Sequence, residues 1–155
     1  MIVRIDSLAF RLAVLATIVI TAIGLVAFHP GGARAEGDLA VKPVELDTLL
    51  LGTDQIGYNV SVKEYNLETG KAYSLLIKSS GIKEYAMVAP AFFHNIWLRK
   101  VEAGGLEIKA TGLYELEFED EGEAELFFVP IRPGTYELYA KGLEDKGTVV
   151  TINVK

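Results

Sequence analysis

Cysteine is absent from all 155 residues, and histidine and methionine occur only twice each. Without a thiol, thiol catalysis, thiolate zinc sites and iron–sulfur clusters are excluded. No disulfide can staple the fold, so packing alone must hold it. The chain also lacks internal repeats, low-complexity stretches and glycine-rich phosphate loops. Ser61, Ser74, Ser79 and Ser80 fall in strand or turn patterns without a nucleophile elbow, so no Ser/His/acid set can be assembled. No enzymatic activity is expected.

The N-terminus differs from the rest. Arg4 and Arg11 precede an uncharged run of 17 residues, Leu12 to Phe28, followed by the helix-breaking His29-Pro30-Gly31-Gly32 and then Ala33-Arg34-Ala35. A basic start, an apolar centre and a small-x-small end describe a secretory signal peptide over 1–35, cleaved after Ala35. The rival reading is an uncleaved anchor, because about 17 residues is the lower limit for crossing a bilayer. Cleavage would place the product in the periplasm or outside the cell, with no membrane span left.

Removing 1–35 takes Arg4, Arg11, Arg34 and Asp6 with it. The 15 basic residues fall to 12 and the 21 acidic ones to 20, so the net charge moves from −6 to −8. That balance argues against nucleic acid as a partner and against anionic membrane surfaces. His94 and Met87 are then the last histidine and methionine. About 120 residues remain, enough for one core.

Residues 36–54 read as a lead-in, where Leu46, Leu49 and Leu50 have the spacing of a short helical turn. From residue 55 to 155 the signals are those of one domain of short strands. Tyr58–Tyr65 alternates, Asn66 to Gly70 is a turn cluster, and Lys71–Ser79 follows as the next strand of that pair. Leu106–Ala110, Leu113–Glu119, Ala124–Pro130, Thr135–Ala140 and Thr148–Val154 complete the set, with Asp120 to Glu123 as a turn. This pattern predicts an all-β antiparallel sandwich or barrel. Pro90–Val101 breaks it: Phe92 with Ile96 and Phe93 with Trp97 lie at i, i+4, proline suits a first helical turn, and Arg99 and Lys100 suit a last one. One inserted helix is therefore expected, ended by Ala103-Gly104-Gly105.

Tyr73 to Ile77, Glu84 to Phe93, Ala124 to Tyr136 and Gly147 to Val150 together resemble bacterial periplasmic cupredoxin-like domains, related to plastocyanin and azurin. The likeness covers about Tyr58 to Lys155, and its most specific part is Phe128-Val129-Pro130 continuing to Pro133-Gly134-Thr135-Tyr136. It implies a Greek-key cupredoxin-like β-sandwich, often exported and often copper-binding. It also implies a copper thiolate where this chain has Ala140, and a histidine and a methionine where Lys141–Lys146 has neither. A type 1 copper site, which needs two imidazoles and a thiolate, is thus not expected, and the resemblance implies a degenerate metal site.

Two functions from different classes follow. The first is a non-catalytic binding domain whose partner is another cell-envelope protein. The second is a copper-handling protein that holds the metal weakly through His94 and Met87, since imidazole with thioether suits Cu(I). Against the second, Met87 in an apolar strand fits a core residue and His94 a surface or packed group. The acidic run Glu115, Glu117, Glu119, Asp120, Glu121, Glu123 and Glu125 could offer oxygens to a hard cation, but reads better as a solvated face that blunts a sheet edge. Phe92, Phe93, Ile96 and Trp97 could form a docking patch, though aromatic pairs of this spacing usually face a core. Tyr136 suits a hydrogen bond across a Greek-key corner. Asn59-Val60-Ser61 matches a glycosylation sequon.

Overall fold

Alternation of apolar and polar residues creates the strands and decides which face each one buries. In β10 (Gly134–Ala140), Tyr136, Leu138 and Ala140 point inward while Thr135 and Glu137 meet solvent. The computed structural model describes residues 41–155; the expected signal peptide over 1–35 and the start of the lead-in lie outside the described residues. The remaining elements are β1 (Val44–Glu45), β2 (Leu49–Leu51), β3 (Glu64–Leu67), β4 (Tyr73–Ser80), β5 (Tyr85–Val88), α1 (Pro90–Phe93), β6 (Ile96–Ala103), β7 (Leu106–Ile108), β8 (Glu115–Phe118), β9 (Glu121–Pro130) and β11 (Val149–Val154).

They form two sheets. One runs β1-β4-β9-β6-β7, with β2 also beside β4; the other runs β3-β11-β10-β5-β8. The chain changes sheet between β2 and β3, β3 and β4, β4 and β5, β5 and β6, β7 and β8, β8 and β9, and β9 and β10. The result is a cupredoxin-like β-sandwich whose core fills the space between the sheets.

The sheets are mixed, not purely antiparallel as expected. β1 and β2 run parallel to β4, and β3 runs parallel to β11. The lead-in is therefore strand where a helical turn was expected. Leu49 and Leu51 are fully buried and Leu50 is exposed, a period of two, because the free edge of β4 offers backbone partners that a lone helical turn cannot match. Tyr58–Tyr65 contributes only β3 at its end, plus a bridge from Val60 to Leu51. Nor does β3 pair with β4; it lies in the other sheet. Asn66 and Leu67 belong to β3, and Glu121 to Glu123 open β9, so both expected turns are shorter than drawn.

The helix over 90–101 is also corrected. Only Pro90–Phe93 is helical, and β6 follows from Ile96. β6 carries a bulge: Leu98 faces Phe128 and Lys100 faces Phe127, so Arg99 is the extra residue. Ile96, Leu98 and Val101 are the buried positions, spaced by two and then three. The i, i+4 spacing of Phe92 and Ile96 instead joins two elements, α1 and β6, that bury into the same core. Arg99 and Lys100 do not cap a helix, and Gly104-Gly105 turns β6 into β7.

Aromatic packing ties α1 to both sheets. The Phe92 ring stands edge-on to Phe128 at 5.4 Å and lies 5.6 Å from Tyr136. The Tyr136 hydroxyl donates to the Arg132 carbonyl at 3.0 Å, the corner bond its sequence position suggested.

Candidate functional site

The end of β10 carries Ala140, where the resemblance implies a thiolate. Ala140 is wholly buried, and its register partner on β5 is Met87, equally buried. The backbone then closes at once. Lys141 donates to Ala86 at 2.9 Å, Leu143 to Ala140 at 2.9 Å, and Thr148 back to Leu143 at 3.2 Å. A 3-10 turn over Glu144–Lys146 fills the short loop, while Leu143 packs on the core edge. This end supplies one buried thioether and no thiolate or imidazole, so its donors do not fit a type 1 copper centre.

His94 lies elsewhere. It is exposed at the C-cap of α1, and α1 packs through Phe92 on Tyr136, which precedes Ala140 by four residues. At about 3.3 Å per residue that separates the two positions by roughly 13 Å along the strand. Met87 and His94 thus occupy different surroundings, one in the core and one in solvent. Among the described residues no three His, Cys, Asp or Glu side chains are grouped to hold a metal ion.

The acidic residues divide between the sheets. Glu115 of the edge strand β8 accepts from Lys141 at 2.7 Å, and Glu117 and Glu119 are exposed. On the other sheet a cleft at the β6–β7 hairpin is lined by Glu102, Glu107, Glu123 and Glu125 around Leu76. Internal cations already serve most of these. Lys100 pairs with Glu102 and Glu107, Lys109 with Glu107, and Lys78 with Glu123.

Hydrogen bonds from Lys109 and then Lys100 pull the Glu107 carboxyl down from 4.5 to about 2. Because the folded value lies below the unfolded one, the contribution of this pairing is present above pH 4.5 and is lost as pH falls towards 2. Carbon-detected titration of the Glu107 carboxyl should therefore show it still ionised at pH 4. A midpoint near 4.5 would mean that the ion pairs do not persist in solution.

Phe92, Phe93 and Ile96 are buried and do not form a docking patch; Trp97 alone of that group is exposed. The sequon residue Asn59 is engaged, donating its amide to Asp54 Oδ2 at 3.2 Å. Sequence reasoning missed the loop from Gly52 to Val60, which Asp54 organises. Its Oδ1 accepts from the N–H groups of Gly57 at 2.7 Å and Tyr58 at 2.8 Å, and these backbone bonds, with that of Asn59, hold its pKa below the usual carboxylate value against partial desolvation. The Asp-x-x-Gly spacing of Asp54 and Gly57 is the signal that could have found it.

No family model and no curated protein sequence matches the chain. Solved structures do resemble it in fold. A multicopper oxidase from Campylobacter jejuni aligns with a TM-score of 0.54 at 13% identity, covering 74% of this chain and 30% of that one. McoA multicopper oxidase from Aquifex aeolicus, as the 2F4 variant, gives 0.57 at 12% identity over 72% of this chain and 29% of its own. The copper-containing nitrite reductase of Thermus scotoductus gives 0.54 at 11%, over 74% and 31%. The chain thus spans about a third of the length of these proteins, and at such identities the likeness establishes the cupredoxin-like fold. No helix among the described residues is long and apolar enough to cross a membrane.

Proposed function

We propose that this chain is an exported, non-catalytic cupredoxin-like binding domain that lacks a type 1 copper centre and works by contacting another cell-envelope protein. The observation that carries this reading is the end of β10, where Ala140 packs against Met87 and the following loop closes on itself. The basic, apolar and small-residue order of 1–35 supports export. Copper handling through His94 and Met87 is the lesser reading, because Met87 would have to leave the core to meet a metal at His94. Extracting a buried methionine costs about 2–3 kcal/mol in transfer alone.

Titration of the purified protein with Cu(I) and Cu(II) separates the two. Binding no tighter than a peptide background, and unchanged in His94→Ala, is expected. Stoichiometric copper lost in His94→Ala and in Met87→Leu would replace the binding reading with the metal one. Photo-crosslinking in cells across several surface positions, yielding no protein adduct at any of them, would overturn the partner reading.

A further inference from the structure

The first sheet ends on an open strand. Among the described residues β7 pairs with β6 alone, and every residue from Gly104 to Gly112 is exposed. Gly104 and Gly105, at φ 56° and 78°, form a two-residue turn with both central residues left-handed, so Ala103 and Leu106 are the bonded pair that closes the hairpin. Bonded and open pairs alternate from there. Leu106 and Ile108 therefore spend their backbone groups on β6, while Glu107 turns its N–H and C=O outward. Such a row is a template for another strand.

The side chains of β7 sort by face. Leu106 and Ile108 stand opposite Ala103 and Val101, on the side where Val101 enters the core. They are nevertheless 67% and 44% exposed, so the other sheet does not cover them. Glu107 lies on the opposite face beside Glu102. Lys100 holds Glu107 Oε2 at 2.9 Å, and the exposed Lys109 reaches Oε1 of the same carboxylate at 2.7 Å.

Charge commonly keeps an edge from pairing, but the order of signs here complements itself. Two copies of one strand join antiparallel across a two-fold axis only with a residue on the axis, because a half-residue offset would place one side chain on both faces. An axis at Glu107 sets glutamate against glutamate, and an axis at Lys109 sets lysine against lysine. An axis at Ile108 sets each Glu107 against the second copy's Lys109, about 5.5 Å away across a bonded pair. Its own Lys109 is farther, roughly 6.6 Å along the strand. On the apolar face Ile108 then meets Ile108, and Leu106 meets Ala110. The free edge of the other sheet, β8, has no such register. Glu115, Glu117 and Glu119 alternate along it, so every axis there sets glutamate against glutamate.

We propose that β7 is a self-association edge, on which a second copy of this chain lays its own β7 antiparallel about Ile108 and exchanges the internal Glu107–Lys109 ion pair for two reciprocal ones. The edge is short, so the contact belongs to the small, transient class of interface. It joins like chains and is separate from the envelope partner proposed above, whose standing does not depend on it.

Sedimentation equilibrium of the protein as it accumulates in expressing cells, from about 10 μM to about 1 mM, tests this. A concentration-dependent dimer is expected. Glu107→Lys and Lys109→Glu each set like charges across the axis, and each should raise the dimer dissociation constant about tenfold or more. Mixing these two variants restores lysine against glutamate at both positions and should return a heterodimer. Glu117→Lys on β8 should leave the dimer unchanged. Hydrogen exchange gives a readout that misfolding cannot imitate: the Glu107 and Lys109 amides should slow as concentration rises, while those of Leu106 and Ile108 are slow throughout. A monomer over the whole range, like-charge variants that dimerise as well as the unaltered chain, a mixture that stays monomeric, or Glu107 exchange indifferent to concentration would each overturn the proposal.

Discussion

Phe92→Ala is expected to destabilise the domain by about 3–5 kcal/mol, the range for emptying a buried phenylalanine site. Phe92 is 2% exposed and its ring meets Phe93, Phe128 and Tyr136. A helix of four residues cannot support itself in water, so α1 exists because this ring is anchored between the sheets. Truncation leaves a void bounded by β9 and β10, and those strands cannot close it without breaking their ladders. Urea unfolding should show a lower midpoint with an unchanged slope. Phe92→Leu, which keeps most of the volume, should cost less than about 1.5 kcal/mol. A loss below 1 kcal/mol for alanine would mean that α1 is not what joins the two sheets.

The same residues show how far sequence carries. β10 and β11 were legible because each buries one face, so the period of two is clean from Thr135 to Ala140 and from Val149 to Val154. The corner bond of Tyr136 was legible because it is local, reaching back four residues to Arg132. β6 was not, because its bulge at Arg99 interrupts the period of two between Leu98 and Val101, and because Phe92 of α1 and Ile96 of β6 happen to lie four residues apart. β1 and β2 were missed for another reason. Three residues or fewer carry almost no periodic signal, and only their pairing with the edge of β4, more than 25 residues away, makes them strands.

The site divides along the same line. The absence of a thiol could be read from inventory, and Ala140 drew notice only through a resemblance in one strand. What that end became instead could not. Tyr58, Lys83 and Lys146 are brought together by β11, β5 and the loop of Asp54, and they come from three parts of the sequence up to 88 residues apart. No window of the sequence contains that charge cluster.

Gly52→Ala should test whether that end is as rigid as its hydrogen bonds require. Gly52 is buried at φ 73°, and its N–H donates to the Asn59 carbonyl at 2.9 Å. A Cβ there would overlap the hydroxyls of Tyr85 and Ser80. Ser80 is exposed and can rotate away, but Tyr85 is fully buried and its ring cannot swing. The Tyr85 hydroxyl must then move off the Gly57 carbonyl, releasing the loop under Ile82 and Lys83. The left-handed conformation adds about 1–2 kcal/mol, overpacking about 1–3 kcal/mol and the lost hydrogen bond about 1 kcal/mol. The loss expected in urea unfolding is therefore about 3–6 kcal/mol. Because the steric cost runs through one hydroxyl, Tyr85→Phe should relieve it. The double variant should be more stable than the sum of the two single losses allows by at least about 1 kcal/mol. Strict additivity would place the strain elsewhere, and would remove Tyr85 as the link between the core of the sandwich and the loop of Asp54.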